Sequence, residues 1–180
     1  MSVKTTHFGM AGHYVAMAEF LRRGWNVATA AVDIGDDIYV VHDGDGTFRR
    51  VQVKTRRGVR DASGQRWLPA RFPVSRGQLF TAKLSSLYYM FMLFQADRWQ
   101  YLLLSQSTLS DIRIAFEARM AGGRTVMTSE TARGDDLGPT VQFTGDAAAF
   151  WGVTLPTNVW HPDFPELTDG PGTRPQASAR

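Results

Sequence analysis

A chain of 180 residues and 20.1 kDa is long enough for one domain with a real core and too short for two well-developed ones. The absence of cysteine excludes disulfide scaffolds, zinc–cysteine centres and thiol nucleophiles. With 43% hydrophobic residues and no apolar run near the roughly 18 that a membrane helix needs, a soluble protein with no membrane partner is expected. The net charge of +3 conceals a segregation: residues 31–46 hold five aspartates and no Lys or Arg, whereas residues 47–76 hold nine basic residues against Asp61 alone. A basic band of that density suits a polyanion, because each neutralised phosphate releases counterions; a solvated Arg-rich surface is the plain alternative.

Along the chain, His13 and Glu19 interrupt the apolar stretch that a signal peptide would need, so a cytoplasmic location is expected. At about 100° per residue, Tyr14, Val15, Met17, Ala18, Phe20 and Leu21 share one broad side, which predicts an amphipathic helix over 12–23. Gly24, after two arginines, suits its C-terminal cap. Residues 25–31 and 37–42 are rich in β-branched and aromatic side chains and predict two strands. The turn signal Asp43-Gly-Asp-Gly46 leads into a third strand over 47–55. On that strand Val51 and Val53 take one face and Gln52 and Lys54 the other.

Residues 58–77 are polar and Arg-rich and predict a long loop or irregular hairpin, of a length that is often functional. Residues 87–94 and 100–104 flank a turn and predict a second antiparallel pair, with a helix over 82–94 as the alternative. A helix is expected over 108–120 with Thr108 or Ser110 as N-cap, short strands over 125–129 and 140–144, and a short helix over 146–151. One domain is expected over 1–165, followed by a flexible tail over 166–180, of which DGPGTRPQASAR has a disordered composition.

Gly12, Gly24-Trp-Asn-Val27, Asp37 and Gln52-Val-Lys-Thr55 together resemble the pattern of the PD-(D/E)XK nuclease superfamily. The similarity is to its small Holliday-junction-resolvase-like and stand-alone endonuclease-like members. The motifs span residues 12–55, and a plausible match extends to about residue 120. The resemblance implies an α/β, restriction-endonuclease-like αβββαβ core with a mixed central sheet flanked by helices. It further implies a metal-dependent endonuclease acting on DNA, with RNA as a further possible substrate and a homodimer as the common assembly.

Phosphodiester hydrolysis needs a divalent cation to neutralise the phosphate and activate water, and Mg2+ or Mn2+ prefers oxygen ligands. Asp37 is the expected anionic ligand, with the Gln52 amide oxygen and the Val53 carbonyl beside it. Lys54 would orient the attacking water or stabilise charge on the phosphate. Only Lys4, Lys54 and Lys83 among twenty basic residues are lysines, so an ammonium stands at 54 where this chain usually has Arg. Most family members carry Glu at the position of Gln52, and resolvase-like members a helical Glu where His13 stands, which makes His13 a fourth candidate. Arg56, Arg57 and Arg60 are expected on phosphates.

Bland readings accompany each of these. Asp36 or Asp33 could replace Asp37, Gln52 and Lys54 could lie on an ordinary solvent-facing strand, and His13 could be a packed or surface histidine. Glu19 is expected as a solvated partner of Arg22 or Arg23. No HExxH spacing and no Gly-x-Ser-x-Gly elbow competes. Two rival functions stay open: a nucleic-acid-binding module without efficient catalysis, and a domain whose basic band meets an acidic protein.

Overall fold

The computed structural model describes residues 3–31, 37–74, 76–80, 87–122, 140–144, 147–150 and 153–164. Helix α1 (Val3–Leu21) begins well before the segment predicted from its periodicity. Gly9 and two threonines make its first turns poor helix formers, but Phe8 packs there against Phe94 and Trp99. The helix closes as expected, with Gly24 at a φ of 81° and its N–H donating to the Leu21 carbonyl.

Strands β1 (Trp25–Thr29), β2 (Ile38–His42) and β3 (Phe48–Arg57) form an antiparallel meander, with Trp25 opposite His42 and Ile38 opposite Val51. The polar stretch after β3 folds back as an irregular hairpin, bridged between Arg60 and Trp67, and then supplies β4 (Ala70–Pro73) and the short α2 (Arg76–Phe80). Strands β5 (Leu87–Gln95) and β6 (Arg98–Ser105) follow, joined through Ala96 and Asp97, both in the left-handed region. Helix α3 (Gln106–Gly122) comes next, then β7 (Thr140–Thr144), β8 (Ala147–Phe150) and β9 (Val153–Pro156).

The central sheet runs β1-β2-β3-β5-β6, and β3 and β5 pair in parallel while every other pair is antiparallel. A parallel pair needs a crossover, and β4 and α2 lie within it. The αβββαβ order and the mixed sheet are therefore present. Strand β5 has cores on both faces: Tyr88, Met90 and Met92 join Phe20 of α1 and Trp25, whereas Tyr89 and Phe91 join Phe72 and Phe143. The second core is roofed by a second sheet, β4-β7-β8-β9. No helix among the described residues is long and apolar enough to cross a membrane.

The antiparallel pair expected over 87–94 and 100–104 is present as β5 and β6; the helical alternative fails across 87–94, where a strand buried on both faces is apolar throughout and has no alternation to read. Two expectations are corrected. The expected helix over 146–151 is strand β8 over Ala147–Phe150: alanine favours helix, but Ala148 pairs with Phe143 and is fully buried under the second sheet. The N-cap of α3 is Ser105, whose Oγ accepts the Thr108 N–H at 3.0 Å. The expected strand over 125–129 and the tail over 166–180 lie outside the described residues.

Candidate active site

The site is built where β2 begins beside the middle of β3. Val51 and Val53 are buried under α1, so the strand period turns Gln52 and Lys54, both half-buried, to the other face. Asp37 stands immediately before β2 and is held at three points. Its N–H donates to the Val51 carbonyl at 3.1 Å, its carbonyl accepts from Ala30 at 3.3 Å, and its Oδ2 accepts the Val53 N–H at 2.6 Å. The side chain thus satisfies a ladder donor that β2 does not reach. The N–H and C=O of a strand residue project to the same side, so the Val53 carbonyl opens toward the edge that Asp37 occupies.

Lys54 lies within the field of that carboxylate. Burial pushes its ammonium below the ordinary lysine value, and the charge of Asp37 partly restores it. His13 arrives from the opposite side, on α1, with Nε2 3.9 Å from Asp37 Oδ2, a distance that makes an ion pair when the imidazole is protonated and is too long for a hydrogen bond. Gly12 explains how α1 comes so near. A Cβ at that position would stand 2.1 Å from Thr55 Oγ1, so only glycine lets the helix rest on β3 and carry His13 over Asp37. Asp37 therefore has His13 on one side of the sheet and Lys54 on the other, its carboxylate sitting at the start of β2 on the backbone of β3.

The donor set suits a hard cation. One carboxylate, one amide oxygen and one backbone carbonyl are all oxygen ligands of the kind Mg2+ or Mn2+ takes. Among the described residues no three His, Asp, Glu or Cys side chains cluster as a metal site, so a cation held here would need a phosphate and water to complete its charge and shell. Asp33 and Asp36, the alternative ligands, lie outside the described residues.

The three arginines beyond the site diverge. Arg56 is exposed on the Lys54 side of β3, whereas Arg57 points to the α1 side, with its Cζ 4.5 Å from the centroid of the Phe8 ring. Arg60 is exposed in the hairpin, 4.4 Å over the Trp67 ring. The aromatic partners of these arginines were not legible in the sequence. Phe8 lies in a stretch with no helical signal, and Phe94 ends an apolar run that reads as core.

No protein-family model matches the chain, and no curated protein is recognisably similar to it in sequence. Among solved structures it is similar to Hjc, a Holliday junction resolvase of the archaeal hyperthermophile Archaeoglobus fulgidus. That likeness has 18% identity and a TM-score of 0.36, over 55% of this chain and 73% of that one. It is also similar to the bacterial homing endonuclease I-Ssp6803I, at 16% identity and a TM-score of 0.39, over 74% of this chain and 84% of that one. Likenesses this loose carry no inference about substrate or residues.

Proposed function

We propose that the chain is a divalent-metal-dependent nuclease that hydrolyses phosphodiester bonds of DNA. The observation that carries the reading is Asp37 Oδ2 on the Val53 N–H at 2.6 Å, which fixes a carboxylate at the backbone between Gln52 and Lys54. Asp37, the Gln52 amide oxygen and the Val53 carbonyl would hold the cation. Bound there, Mg2+ or Mn2+ supplies neutralisation of the phosphate and a more acidic water.

The chain's own residues do the rest. Lys54, its proton loosened by burial, orients the attacking water through a hydrogen bond or stabilises charge building on the phosphate oxygens. His13 is a positioning residue: when protonated it holds Asp37 from the α1 side. Arg56 on the Lys54 face and Arg60 in the hairpin give the path beyond Lys54 the positive field that a phosphate backbone requires, and Arg57 adds its charge from the α1 side.

The neutral Gln52 favours a second reading, a binding module with little catalysis, since a site with one carboxylate binds metal weakly. A cleavage assay on DNA with and without Mg2+ separates the two. Under the nuclease reading Asp37→Asn and Lys54→Ala each reduce metal-dependent cleavage at least a hundred-fold while the far-ultraviolet dichroism is unchanged. Cleavage undiminished in either variant would remove that residue from the mechanism.

A further inference from the structure

Past the site the chain holds two guanidinium groups over aromatic rings. Arg57 lies over Phe8, with Phe94 at 5.9 Å; Phe8 in turn stacks on Trp99 at 5.5 Å and 19°, and Phe94 tilts onto Trp99 at 5.1 Å. Arg60 lies over Trp67, with Nη1 donating to the Gly64 carbonyl at 2.7 Å. Gly58 lies between the two stacks. Its N–H donates to the Phe94 carbonyl at 2.8 Å, and a Cβ on it would press to 3.1 Å from Gln95 and 3.2 Å from the Trp67 ring. The four rings are half-buried, the two arginines are exposed, and among the described residues neither arginine forms an ion pair with a carboxylate.

A phosphate contact needs only charge, which a freely moving Lys or Arg supplies. Here each planar guanidinium has its Cζ over a ring, 4.5 Å from Phe8 for Arg57 and 4.4 Å from Trp67 for Arg60, and both side chains are exposed, with Nη1 of Arg60 bonded to the Gly64 carbonyl. Such a plane is a surface on which a nucleobase stacks, and its N–H edge still meets a phosphate. Bases within a duplex are stacked on each other and cannot reach it; unpaired bases can.

We infer that the Arg57–Phe8–Trp99 and Arg60–Trp67 stacks bind unpaired nucleotides of a single-stranded segment, with bases lying on the guanidinium planes. Arg57 follows Lys54 by three residues on the same strand, about 10 Å at strand rise but on the α1 face, so the inference, which rests on the nuclease reading, has the unpaired stretch of the substrate pass round the end of β3 from the cut. The net positive field of residues 47–76 complements that strand's phosphates.

Binding of the full chain in EDTA to a fluorescent oligothymidylate, an abasic oligomer of equal length and a duplex tests this without cleavage. Oligothymidylate should bind about ten-fold or more tightly than the abasic strand. The double variant Arg57→Lys with Arg60→Lys should lose that preference while keeping its salt slope, because charge is retained and the plane is not. Equal affinity for base-bearing and abasic strands would overturn the inference, as would a preference that survives the double variant. Tighter binding of duplex would assign these arginines to phosphates alone, and binding only of an acidic polypeptide such as polyglutamate would assign them to a protein partner; either result overturns it. Lys54→Ala should keep the base preference, so a chain that never cleaves but discriminates bases refutes the nuclease reading and spares this one.

Discussion

Gln52 is the neutral member of a ligand set with one carboxylate, and that makes its charge a direct probe of the site. If its amide oxygen faces a cation, Gln52→Glu should lower the Mg2+ needed for half-maximal cleavage several-fold, since a charged oxygen holds a hard ion more strongly. On an ordinary half-buried strand position the same change would leave the metal titration where it was, and coincident curves would take Gln52 out of the site. Lys54 carries the opposite anomaly: its charge is disfavoured by burial in the folded state. A folded value below the unfolded 10.5 contributes stability that is present above 10.5 and lost as pH falls through the folded value. Lys54→Met should therefore abolish cleavage yet raise the unfolding midpoint near neutral pH, with the gain shrinking as pH approaches 10.5. Melts at pH 7 and pH 10 check this; a midpoint lowered at pH 7 would mean that Lys54 is retained for stability. Both residues were legible in the sequence because the period of a strand sets them apart from Val51 and Val53. The Asp37 bond to the Val53 N–H was not, because it replaces a backbone partner at a strand end and leaves no pattern.

Helix α1 rests on β3 where Gly12 meets Thr55, and the cost of disturbing that contact is open to measurement. The Cβ of Gly12→Ala would overlap Oγ1 and Cγ2 of Thr55 at 2.1 and 2.5 Å, so the helix must lift. Overpacking of this kind costs about 1–3 kcal/mol, and lifting α1 also carries His13 away from Asp37. Denaturant unfolding of Gly12→Ala, alone and with Thr55→Ala, should show the loss and its partial rescue; strictly additive effects would place the strain elsewhere. The meander β1–β3 could be read from sequence because each strand has one buried face and a turn signal between. Of the second sheet only β7 was legible, as the strand expected over 140–144. Its strands β4, β8 and β9 have four residues each, and Ala70 finds its partner at Phe143, a pairing no local signal announces.

The molecule is closed by the segment that returns from the second sheet to the first. Asn158 donates its N–H to the Tyr101 carbonyl at 2.7 Å, and Val159 bridges Leu102 in parallel, so the segment lies along the free edge of β6. It then delivers Trp160 and Phe164 to the α1 core, where the Phe164 ring meets Phe20, Trp25 and Tyr88 at 5.4, 5.0 and 4.6 Å. A polar lock accompanies this packing: the Tyr88 hydroxyl donates to Asp163 Oδ2. Burial, reinforced by that carboxylate, pushes the phenol up to about 12 from its ordinary 10. A folded value raised in this way contributes stability that is fully present below pH 10 and is lost as pH rises through about 12. Tyr88→Phe removes the lock at any pH. The variant should be less stable than wild type at pH 7 by about 1 kcal/mol, a modest amount because Asp163 is half-exposed and is rehydrated when its partner goes. Between pH 10 and 12 that difference should shrink, since only wild type has the proton to lose. Urea unfolding of both proteins at pH 7, 10 and 11.5 tests this, because tyrosines common to both cancel in the comparison. No difference at any pH would mean that the segment is held by its aromatic rings alone, and Phe164→Ala, expected to cost about 3–5 kcal/mol, would then account for the whole attachment.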